Sequence, residues 1–153
     1  MSSIVETYAT LPPSRSKENA ILLFTDGYGI KADYNRLLAD EFAANGYFVV
    51  MPDLFYKDPL PQTPDEDFKV ELWEKRHAPA SVDEYIKTVL AEMHKAGAKR
   101  IGGVGYSIGA RYLARFMGPG KFCASFMGHP DKLGKEDAMA INTPVSIALG
   151  KSD

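Results

Sequence analysis

Short, unbroken apolar runs constrain this chain most. Residues 20–24 (Ala-Ile-Leu-Leu-Phe) and 47–51 (Tyr-Phe-Val-Val-Met) carry no polar alternation. A strand with one wet face alternates; a continuous run fits a strand covered on both faces, as in a mostly parallel sheet. Between the two runs, Tyr34, Leu37, Leu38 and Phe42 recur at helical spacing, and Asn45-Gly46 supplies a left-handed stop, which predicts a helix over 33–44. Ser81 and Glu84 read as a capping box at the start of a second helix. Its apolar stripe is Val82, Tyr85, Ile86, Val89, Leu90 and Met93, and it stops at Gly97. Strands are predicted over 100–104, 122–128 and 145–149, a helix over 108–117, and an opening strand over 4–9. Pro59, Pro61 and Pro64 break the pattern, so 53–80 reads as a long excursion with one short helix. Strands alternating with helices imply one doubly wound α/β domain over 1–153.

Composition narrows the function classes. With 45% apolar and 25% charged residues the chain is typical of a soluble globular domain. Its 18 basic and 20 acidic side chains are interspersed, so no surface for nucleic acid is expected. No apolar run approaches the roughly 20 residues that span a bilayer. The first residues lack the basic start and apolar core of a secretory signal, and the lone Cys123 excludes an intramolecular disulfide. A cytoplasmic location is expected, with Cys123 an inert, buried small hydrophobe in its strand.

Chemistry is concentrated at Gly105-Tyr106-Ser107-Ile108-Gly109. The pattern is that of a nucleophile elbow, a strained strand-to-helix turn that lifts a serine hydroxyl clear of the backbone. The bare pattern arises by chance in about one chain of this composition in sixteen. Its placement adds weight, because a predicted buried strand leads in and a predicted helix leads out. Ile108 N–H would be one oxyanion donor, and the glycine-rich turn Asp26-Gly27-Tyr28-Gly29 offers Gly27 as the second. The acid of a triad is expected beyond a later strand, where Asp153 stands.

A serine needs a base, and the histidines are His77, His94 and His129. None follows Asp153. His94 falls at a helix end and suits a helix C-terminal contact. His77 lies in the excursion and is expected to be exposed. His129 closes a strand at the edge where α/β sheets place their sites, but its order in the chain is wrong for a triad base, so it stands as a possible supporting residue beside Tyr106.

Residues 38–55, from Leu38-Ala39-Asp40-Glu41 through Met51-Pro52-Asp53-Leu54-Phe55, taken with Gly102 to Gly109 and His129-Pro130, resemble the dienelactone hydrolase family, especially its fungal members. The resemblance runs from about Val5 to Asp153. It implies a three-layer α/β-hydrolase fold with a mostly parallel, doubly wound sheet, incomplete at the C-terminus. It also implies an ester or lactone substrate and a covalent acyl-enzyme, with no metal or organic cofactor. The family's nucleophile position maps to Ser107, its acid to Asp153, and a carboxylate near the nucleophile to Asp26. Two departures stand out. Serine occupies the elbow where the defining members carry cysteine, which favours a more general esterase, and the chain ends before the family's histidine, so it reads as truncated.

Two functional expectations follow. One is a serine hydrolase impaired by the missing base. The other is a non-catalytic binding protein on the same scaffold, which self-associates through an exposed sheet edge. A dinucleotide site is disfavoured, because the turn at Gly27-Tyr28-Gly29 lacks the third glycine of that fingerprint.

Overall fold

A computed structural model describes residues 6–151. Six strands form one sheet in the order β1-β3-β2-β4-β5-β6: β1 Thr7–Thr10, β2 Asn19–Phe24, β3 Phe48–Pro52, β4 Arg100–Tyr106, β5 Ser125–Gly128 and β6 Val145–Ala148. Only β1 is antiparallel, against β3; the other pairings are parallel. The helices are α1 Asp33–Ala44, α2 Val70–Arg76, α3 Asp83–Lys95, α4 Ile108–Ala114 and α5 Lys135–Ala140.

The unbroken runs do cover both faces. In β2, Leu22 and Phe24 enter the core shared with α3 and α4, while Ile21 and Leu23 enter the core shared with α1. The helical stripe of α3 is buried at Ile86, Val89, Leu90 and Met93. α1 begins and ends where its spacing predicts.

Several expectations change. The capping box does not form: Pro79–Val82 makes a 3-10 turn, with Ser81 N–H on Ala78 O, so α3 starts after Ser81 and has no side-chain cap. α4 stops at Ala114 and β5 starts at Ser125, since Phe116, Met117 and Phe122 are buried by turns rather than by regular elements. α5 was not predicted; none of its residues is buried, so it leaves no apolar stripe to read. Cys123 is exposed, because the chain has not yet entered β5 where it stands. His77 is buried rather than exposed: Phe55 and Trp73 pack on its ring, and its Nε2 bonds Asp58 Oδ2 at 2.8 Å. No helix among the described residues is long and apolar enough to cross a membrane.

Strand order creates the crevice that matters. From β2 the chain crosses through α1 to β3 on one side; from β4 it crosses through α4 to β5 on the other. β2 and β4 are nonetheless neighbours, with Phe24 opposite Gly105. The loops leaving their C-terminal ends diverge, and such switch points are where open α/β sheets bind ligands.

Candidate active site

Ser107 stands between β4 and α4 with φ 52° and ψ −123°. A non-glycine residue there is strained by roughly 1–3 kcal/mol, and it persists only because its surroundings over-determine it. They do so here through Ser107 N–H, which donates to Gly128 O at 3.0 Å, and Ser107 O, which accepts Asp131 N–H at 3.3 Å. The flanking glycines are required by close approach. A β-carbon at Gly109 would lie 2.2 Å from Thr25 O, and one at Gly105 would lie 2.9 Å from Ala110 Cα. Ser107 is half-buried, and its Oγ makes no hydrogen bond among the described residues.

Across the crevice lies the turn 26–29. Asp26 carboxylate accepts hydrogen bonds from Tyr34 OH at 2.5 Å, Asn35 Nδ2 at 3.0 Å and Tyr28 N–H at 3.1 Å. Burial, followed by that bond to Asp26, pushes the Tyr34 phenol well above its ordinary range. Gly27 is buried; its carbonyl accepts Leu60 N–H at 2.8 Å, and the side chains of Leu60 and Trp73 lie over it. Ile108 opens α4, where a backbone N–H has no partner within the helix. The crevice therefore brings Ser107, Ile108, Gly27 and Asp26 to one end of the sheet.

The chain from Val5 to the last residue, 5–153, matches the model of the dienelactone hydrolase family. This chain belongs to that family. It is 39% identical over 150 residues to the hydrolase pyvD of Aspergillus violaceofuscus, covering 97% of this chain and 61% of that protein. With the hydrolase tropI of Talaromyces stipitatus the identity is 35% over 158 residues, covering 97% of this chain and 62% of that protein. A candidate dienelactone hydrolase of known structure from Klebsiella pneumoniae superposes with a TM-score of 0.73 at 16% identity, over 94% of this chain and 65% of its own. That likeness establishes the α/β-hydrolase fold. The chain spans about three fifths of the length of these curated relatives.

Within the family frame, the histidines separate. His94 Nδ1 bonds Ala98 O at 2.9 Å beyond the end of α3, and His77 is committed to Asp58. His129 is exposed at the end of β5, has φ 35°, donates its N–H to Ala148 O at 2.7 Å and lies beside the Tyr106 ring. None is hydrogen-bonded to Ser107. Asp153 lies outside the described residues. Among those residues no group of three or more His, Cys, Asp or Glu side chains could hold a metal ion. Sequence reasoning counted Tyr34 only as an apolar position of α1 and passed over Thr25 and Asn35; their partners at Asp26 and Gly29 are set by the folded turn, which also buries Asn35.

Proposed function

We propose that this chain carries the acyl-transfer centre of a serine-type ester or lactone hydrolase. Ser107 Oγ loses its proton and attacks the carbonyl carbon, and the C=O electron pair moves to an oxyanion held by Gly27 and Ile108 N–H. Collapse re-forms C=O, breaks the ester C–O bond and expels the alcohol oxygen, which takes up a proton, leaving an acyl-enzyme that water hydrolyses. Asp153 serves as the acid, while Asp26, with Tyr106 and His129, lines the centre. The observation that carries this reading is the strained Ser107 at the β2–β4 switch point, facing a turn whose carboxylate is tied down by three donors.

None of the three histidines is hydrogen-bonded to Ser107, so in a chain of these residues the Ser107 proton passes to solvent water and acylation is slow. The test is hydrolysis of a p-nitrophenyl ester together with labelling by a fluorophosphonate. We expect slow labelling that Ser107→Ala abolishes, with turnover reduced by several orders of magnitude relative to a complete triad. Robust turnover lost on Ser107→Ala would overturn the missing-base claim and direct attention to His129.

A second reading is favoured by one specific observation. Among the described residues β6 lies at the edge of the sheet, and none of its residues is buried. On that basis the chain forms a self-associating scaffold through this edge, whether or not it turns over substrate.

A further inference from the structure

We propose that Thr25 is a positioning residue that sets the two oxyanion donors against each other; this rests on the assignment of Gly27 and Ile108 to that role. Thr25 is fully buried, the first residue beyond β2. Its side chain reaches one half of the crevice: the hydroxyl donates to Asp26 O at 2.9 Å, and the same oxygen accepts Gly29 N–H at 3.2 Å. The Asp26 carbonyl and Gly27 N–H belong to one planar trans peptide and point in opposite directions. Two donors on the oxygen therefore fix where the N–H aims.

Its main chain reaches the other half. Thr25 O sits where a β-carbon on Gly109 would be, directly beside the residue that follows Ile108. One residue thus touches the Gly27 peptide through its hydroxyl and the first turn of α4 through its carbonyl. Because Ser107 is already tied to β5 by Gly128 O, the orientation of the 26–27 peptide is the freedom left to control. Among the described residues the Thr25 hydroxyl bonds only the adjacent residue. It adds no contact between elements, so its function is local orientation.

Phenylboronic acid tests this on the chain itself. Ser107 Oγ bonds to boron, its proton leaves to solvent, and boron becomes a tetrahedral anion whose oxygen occupies the donor site. Affinity is read by boron-11 NMR, and donor engagement by the amide resonances of Gly27 and Ile108. Thr25→Ser, which keeps the hydroxyl, is expected to bind within about threefold of wild type, and Thr25→Val about tenfold or more weakly. In Thr25→Val the Gly27 amide shift on binding is lost while that of Ile108 persists. A merely structural role would lower the unfolding midpoint and leave the Gly27 shift in place. Wild-type affinity and an intact Gly27 shift in Thr25→Val overturn the inference while leaving Ser107 as nucleophile. No adduct on wild type, or an adduct that survives Ser107→Ala, overturns the nucleophile assignment and this inference with it. Should the valine variant not fold, Thr25→Ala removes the same hydroxyl and carries the same expectations.

Discussion

At the scale of single residues, the elbow is a problem of available space. Gly109 packs against main-chain oxygens at the end of β2, which cannot move aside as a flexible side chain would. Gly109→Ala is expected to destabilise the fold by roughly 1–3 kcal/mol, read as a lower urea midpoint at unchanged slope. This pattern was legible in the sequence because strain, flanking glycines and adjoining elements all lie within a few residues of Ser107. His77 and Cys123 were not. The burial of His77 depends on Phe55 and Trp73, and the exposure of Cys123 on where β5 begins.

At the scale of elements, the excursion after β3 is held by a small polar clasp. Asp58 takes His77 Nε2 and Arg76 Nη2 on its carboxylate and Trp73 Nε1 on its carbonyl, while Tyr112 OH of α4 bonds His77 O. Partial burial pushes the Asp58 carboxyl up, but the hydrogen bonds from His77 and Arg76 outweigh it and hold it below the usual carboxylate range. A depressed carboxyl contributes stability that is present above its unfolded pKa and lost as pH falls through the folded one. Asp58→Asn is therefore expected to be less stable at neutral pH, by under about 1 kcal/mol because the carboxylate is half exposed. The gap to wild type should close as pH drops below the ordinary carboxylate range. Thermal unfolding from pH 7 to pH 3 checks it; a gap that widens on acidification would sink the clasp.

Across the whole molecule the two faces of the sheet are covered unequally. α3 and α4 pack on one face, whereas the other carries α1 over β1, β2 and β3. Beyond α1 an open groove of about 760 Å³ is lined by the half-buried Phe42 and Phe126, with the buried Ile21 and Val104 at its floor. On the second reading proposed above, this groove, with the edge of β6, is the surface through which the chain associates with itself. Sedimentation or light scattering should report species larger than a monomer, and Phe126→Glu should shift them toward monomer without loss of far-ultraviolet circular dichroism. A clean wild-type monomer at high concentration would count against association.

What the sequence determined alone was everything that local periodicity and sterics control: two strands buried on both faces, the span of α1, the stripe of α3, and an elbow at Ser107 with glycines two residues to either side. What only tertiary structure decided was adjacency. Nothing in the order of residues says that β4 lies beside β2 rather than β3, yet that neighbour relation opens the crevice and brings Thr25 and the turn 26–29 to Ser107. The physical reason is that strand pairing and helix crossovers are settled by the burial of both sheet faces together, an energy shared across the chain and carried by no local segment.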